Sequence, residues 1–148
     1  MGSGEARTDN NGVTDTCSLN DTLASVLYDA GADYSFVSSK LSKQLGIVPT
    51  LLDTPYSIEL ADGKPVKVTH IHRDCKLELD GQLFAIDLLP ITLGSFDLVV
   101  GMDWLSKQHA EILCQEKIVR IPLPSGEFLS VQGDPGGATM GIISFLKA

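Results

Sequence analysis

Apolar and polar residues alternate in short segments along most of this chain, and pairs of segments are joined by dipeptides suited to tight turns. Tyr56, Ile58 and Leu60 share one face before Asp62-Gly63, and Val66, Val68 and His70 alternate after it. Leu77 and Leu79 precede Asp80-Gly81, and Leu83, Ala85 and Asp87 follow it; Lys117 to Ile121 and Phe128 to Val131 flank Ser125-Gly126. A period of two is that of a half-buried strand. Asp-Gly supplies the positive φ that both central positions of a type I′ hairpin turn require. Two short helices interrupt the strands. Ser39 is placed to cap a segment carrying Leu41 and Leu45, which Gly46 would end, and Asp103 is placed to cap a second from Trp104 to near Ala110. Short strands, frequent turns and few helices predict a mainly β fold, a small closed β architecture with one or two short helices.

The two ends read differently. Residues 1–20 are rich in Gly, Asp, Asn, Ser and Thr and predict a disordered leader or tail, with Met1 to Gly4 reading as an expression scar and order beginning near Leu23. Residues 21–131 are read as the domain. Residues 132–148, with Gly-Asp-Pro-Gly-Gly followed by Ile142, Ile143, Phe145 and Leu146, read as a linker toward a further segment or as an interface strand.

Composition narrows the partners. A chain of 148 residues suits one domain and buries enough surface to fold without a disulfide or metal. A net charge of −8 and a pI near 4.6 argue against nucleic acid or a membrane surface as partner, since both select a basic face. No apolar run reaches the roughly 18 residues of a membrane span, and no basic segment followed by an apolar one marks a secretory signal. Three cysteines, an odd number without a CxxC pair, read as free thiols in a reducing compartment.

The chemistry is concentrated in Leu23 to Phe36, where an apolar strand runs directly into Asp29, followed by Ala30, Gly31, Ala32 and Asp33. A carboxylate at the end of a buried strand is costly unless hydrogen bonds or a partner satisfy it, and Gly31 allows a tight turn and a close backbone approach. Taken alone, these residues also describe an ordinary strand ending in an Asp-Xaa-Gly turn. A second segment, Phe96 to Leu105, sharpens the reading: a hydrophobic strand ends in Gly101 and a short helix comes next, about seventy residues after the first motif. His70 and His72 fall on one face of a strand, but with Cys75 they lack a clear fourth ligand, so no metal site is expected there. Trp104 and Leu105 read as core.

The two segments together resemble the retropepsin-like aspartic proteases, specifically those of gypsy-class LTR retrotransposons of plant type, from roughly Leu23 to Leu129. D-A-G-A-D-Y-S-F-V-S is similar to the active-site loop and its adjoining short helix, D-L-V-V-G-M-D-W-L to the motif before the C-terminal helix, and E-I-L-C-Q-E-K-I-V-R-I-P-L-P to the strand pair after it. The resemblance implies a small closed acid-protease barrel with a flap hairpin, spanning Ile58 to Val68 by position. It implies Asp29 as the catalytic carboxylate, Ala30, Gly31 and Ala32 as its loop, and Asp33 with the flap tip, Leu60, Ala61, Asp62, Gly63 and Lys64, as substrate contacts. Plainer alternatives remain for Asp33, a structural turn carboxylate, and for the hairpin, a solvent-exposed one. Because the chain offers one such loop, a homodimer must bring two copies of Asp29 around one water, one as general base and one as general acid. Carboxylates about 4 Å apart repel by roughly 4 kcal/mol at an effective dielectric of 20, worth about three pKa units. Sharing of one proton by such a pair is recognised behaviour of aspartic proteases as a class. The implied substrate is an extended peptide, the element's own polyprotein, cut in the cytoplasm within virus-like particles.

Two residues depart from the pattern. Ala30 stands where the family carries Thr or Ser, whose hydroxyl bonds backbone across the dimer axis, and Met102 stands where retroviral relatives carry Arg. The rival readings are therefore a catalytically weak or inactive module of the same fold, monomeric or peptide-binding, and an unrelated small barrel holding a small ligand in its interior.

Overall fold

The computed structural model describes residues 12–59, 63–92 and 95–133. The strands are β1 (Gly12–Leu19), β2 (Thr22–Asp29), β3 (Phe36–Ser38), β4 (Thr50–Glu59), β5 (Pro65–Leu79), β6 (Gln82–Ile91), β7 (Leu98–Val100), β8 (Glu111–Leu113), β9 (Ile118–Pro122) and β10 (Phe128–Gln132). Helix α1 (Ser39–Ser42) follows β3 and helix α2 (Met102–Lys107) follows β7. The large sheet has the order β1-β2-β7-β3-β6-β5-β4, and β1 also pairs with β5 through Ser18↔Glu78 and Leu19↔Leu77. That second pairing closes six strands into a ring, with β4 attached outside it. Strands β8, β9 and β10 form a separate three-stranded sheet. The fold is thus the small closed, mainly β architecture with two short helices that the turn pattern predicted.

The expected hairpins form. Asp80 and Gly81, both at positive φ, turn β5 into β6, and Gly126 turns β9 toward β10. The hairpin β4–β5 spans Gly63, also at positive φ; Leu60, Ala61 and Asp62 of its tip lie outside the described residues.

The N-terminal expectation needs correction. Order begins by Gly12, not near Leu23, because β1 pairs with β2 along its whole length, from Gly12↔Asp29 to Leu19↔Thr22. Its polar residues disguise an alternation in which Val13, Cys17 and Leu19 are buried, and Asn20-Asp21, both at positive φ, supply the turn. At the other end β10 extends to Gln132, and the Gly133 N–H donates to the Lys117 carbonyl at 2.7 Å; residues 134–148 lie outside the described set.

Both helices are shorter than expected. Ser38, not Ser39, caps α1 by accepting the Leu41 N–H, and Leu45 falls beyond its end. Helix α2 starts at Met102 after Gly101 and ends at Lys107, and Asp103 lies inside its first turn. His70 is exposed, whereas His72 is buried with its Nε2 2.7 Å from the Ser42 hydroxyl.

Burial on both sides of the central strands explains their unbroken apolar runs. Successive side chains point to opposite faces. On β2, Val26 and Tyr28 enter one core with Leu77, Leu88, Leu98, Val100, Trp104 and Leu105. Leu27 enters a second core with Phe36, Ile58, Val68, Ile71 and Val99 beneath the β4–β5 hairpin. The first core fills the ring, where Tyr28, Leu77, Leu88 and Leu98 are all fully buried. Side chains of the described residues thus fill the interior of the ring, as they do in small barrels.

The short parallel pairing of β2 with β7 is reinforced by one carboxylate. Asp97 Oδ2 accepts the Ser25 N–H at 3.0 Å and the Ser25 hydroxyl at 3.3 Å. Removing it in Asp97→Ala orphans a half-buried backbone donor, so chemical denaturation is expected to show a loss of about 1.5–3 kcal/mol. A loss below about 0.5 kcal/mol would show that the strands hold without the latch.

Candidate active site

Strand β2 delivers Asp29 to the end of the ring, and the alternation places its side chain on the same side as Leu27, toward the second core and the β4–β5 hairpin. Asp29 is only 3% exposed. Its Oδ1 accepts the Gly31 N–H at 2.8 Å, which fixes the plane of the carboxyl, and its carbonyl accepts the Ala32 N–H at 3.2 Å. Burial raises the carboxyl above its ordinary pKa, and the Gly31 N–H opposes this more weakly.

Strand β7 lies between β2 and β3, so the loop from Asp29 to Ser35 must cross the end of β7. There the two chain segments are stitched together. The Met102 N–H donates to the Ala32 carbonyl at 2.7 Å and the Asp103 N–H to the Asp33 carbonyl at 3.1 Å. Ser35, buried, accepts the Gly101 N–H at 2.9 Å and donates to Asp103 Oδ1 at 2.7 Å. Gly101 fits only because it has no side chain: a Cβ there would stand 2.2 Å from the Tyr34 carbonyl oxygen and 2.8 Å from that of Ala32. The requirement is steric contact rather than an unusual φ. Asp103 therefore ties the helix to the loop while also accepting the Trp104 N–H at 2.7 Å.

Of the residues singled out in the sequence, Asp29, Ala30, Gly31, Ala32 and Asp33 share this loop. Ala30, Gly31 and Asp33 are exposed and Ala32 is half-buried. Gly63 and Lys64 are exposed on the β4–β5 hairpin. Sequence reasoning missed Ser35, whose signal would have been a buried hydroxyl between apolar neighbours, and the aromatic pair Tyr34 and Tyr56, which no local pattern connects.

Burial disfavours the thiolate form at all three cysteines. Burial pushes Cys17 up to about 12 and Cys75 up to about 11. Burial also raises Cys114, against a lowering by Lys117 and with a further raising by the nearby Asp29. The carboxylate is the perturbed group on the loop.

The sequence pattern of the family described as retroviral aspartyl protease matches residues 1–125. The chain belongs to that family. No curated protein sequence matches it. Among solved structures, the retroviral protease-like domain of Ddi1 from Leishmania major superposes with a TM-score of 0.64 at 15% identity, covering 84% of this chain and 95% of that one. The EIAV protease complexed with the inhibitor HBY-793 gives a TM-score of 0.48 at 21% identity, covering 68% of this chain and 90% of that one. In this member of the family the Asp29 loop and the Gly101 turn are the two segments whose joint appearance carried the resemblance in the sequence.

The raised carboxyl has a consequence for stability. An acid whose folded pKa exceeds its unfolded value opposes folding once ionised. The cost is absent below the ordinary value of 3.8, grows as pH rises toward the raised value, and is complete above it. Asp29→Asn removes the ionisation and keeps an oxygen for the Gly31 N–H. Thermal melting should find the variant more stable than the parent near neutral pH, with the gap closing at about pH 3. A gap independent of pH would show that Asp29 is not held in a charge-excluding site.

Proposed function

We propose that the protein is an aspartic endopeptidase that cuts extended peptide segments, with its catalytic dyad formed by Asp29 from each of two identical chains. The observation that carries the reading is the buried, loop-fixed carboxylate of Asp29, in a family of aspartyl proteases and in a chain with one such loop. Two such groups around a water divide the work. The ionised one takes the water's proton as it attacks the peptide carbonyl; the protonated one supports the developing oxyanion. Burial favours the neutral form, which fits the requirement that one proton be held between them. The rigid stitching to Gly101 and Ser35 holds each carboxyl in place without a cofactor.

The substrate in this reading is the polyprotein of the chain's own gypsy-class retrotransposon, processed in the cytoplasm within virus-like particles. Asp33 and the hairpin residues from Leu60 to Lys64 contact the substrate backbone, and Ala30, Gly31 and Ala32 shape the loop. A second reading, a weak or inactive module of the same fold, is favoured by one residue. Ala30 has no hydroxyl with which to bond its neighbour across the axis.

A peptide-cleavage assay at mildly acid pH tests both readings. Cleavage should be sensitive to pepstatin and be lost in Asp29→Asn; cleavage surviving that substitution would end the assignment. Ala30→Ser restores two bonds of at least about 0.5 kcal/mol each across the axis, so sedimentation should show a dimer tightened by about 5-fold or more, with activity rising in step. An Ala30→Ser dimer that forms but stays inert would favour the inactive module.

A further inference from the structure

The β4–β5 hairpin changes register at one place. Pairing runs through Thr50↔Ile71 and Leu51↔His70, then resumes only at Tyr56↔Val68. Residues 52–55 of β4 thus face Thr69 alone, a bulge that loosens the ladder and bends the strand. Tyr56 is the first paired residue beyond it, the base of a distal hairpin formed by residues 56–59 and 65–68.

The Tyr56 ring meets the Tyr34 ring at 5.0 Å between centroids, tilted by 35°. Tyr34 belongs to the Asp29 loop, and its carbonyl lies where Gly101 packs most closely. Tyr56, Ala32 and Val66 rest together on the second core, so hairpin and loop share one apolar floor. Tyr34 is 38% exposed and Tyr56 half-buried, so the contact sits at the surface between the two segments. One end of it is anchored in a stitched loop and the other stands at a bulge where the hairpin can pivot.

We propose that Tyr34 and Tyr56 form an aromatic clasp that sets the angle of the distal hairpin relative to the Asp29 loop. They are positioning residues. The clasp limits pivoting at the bulge, and a tilted ring pair does this directionally, because its electrostatics favour offset and edge-on geometries over free sliding. Its effect on cleavage rests on the peptidase reading; its effect on the hairpin does not.

The test uses the full chain and five variants: Tyr34→Ala, Tyr56→Ala, the double alanine variant, Tyr34→Phe and Tyr56→Phe. Hydrogen exchange is followed at the amides of residues 56–59 and 66–68, with those of β9 and β10 as internal reference. Each alanine variant should exchange about 3- to 10-fold faster in the hairpin, with the reference amides unchanged. The double variant should add little to either single one, and the phenylalanine variants should keep the parent rates. Where the parent cleaves peptide, the alanine variants should raise KM by a similar factor and change kcat less. Unchanged hairpin exchange in the alanine variants, independent additive effects, or phenylalanine variants as impaired as alanine would overturn the clasp. A parent that cleaves nothing would count against the peptidase reading, while the exchange rates would still decide the clasp.

Discussion

The structure around Asp29 depends on a contact between two stretches of backbone. Gly101 lies so close to the carbonyls of Ala32 and Tyr34 that no side chain fits between them. This approach lets the amides of Met102 and Asp103 reach the loop carbonyls and lets Ser35 bridge Gly101 to Asp103. A loop that would otherwise be held only at its ends is tied down at its middle. The stitching is the means by which a short strand-to-strand connection becomes a rigid platform.

The same topology accounts for the electrostatics. Because β7 is inserted between β2 and β3, the strand leading to Asp29 is covered on both faces, by the packed ring on one and by the core beneath the hairpin on the other. The carboxylate at its end inherits that burial. With one backbone N–H in compensation, desolvation wins and the neutral form is favoured. The raised carboxyl is a local cost to stability once ionised, the kind of perturbation that desolvated groups in candidate sites commonly show.

Local rules made parts of the fold legible in the sequence. The β5–β6 and β9–β10 hairpins were legible because Asp80-Gly81 and Ser125-Gly126 demand particular turns, and the Asp29 loop was legible because a charged residue ended an apolar run. Strand β1 was missed because Thr14, Asp15, Thr16 and Ser18 give it a polar composition, although its odd-numbered positions Val13, Cys17 and Leu19 carry the buried face. Helix ends shifted because Ser38 could reach the Leu41 N–H, whereas Asp103 was recruited by the distant Ser35. The insertion of β7, the steric demand at Gly101 and the meeting of Tyr34 with Tyr56 join residues far apart in the chain, and no periodicity announces such contacts.

The reading of Asp29 as half of a shared site is tested most directly by mixing subunits. The parent chain is refolded with increasing proportions of Asp29→Asn at constant total concentration, and peptide cleavage is measured. If both carboxylates of a dimer are required, activity falls as the square of the parent fraction, because mixed dimers are dead. Activity falling in simple proportion to the parent fraction would mean that each chain carries a complete site of its own, and the shared-dyad account would be wrong.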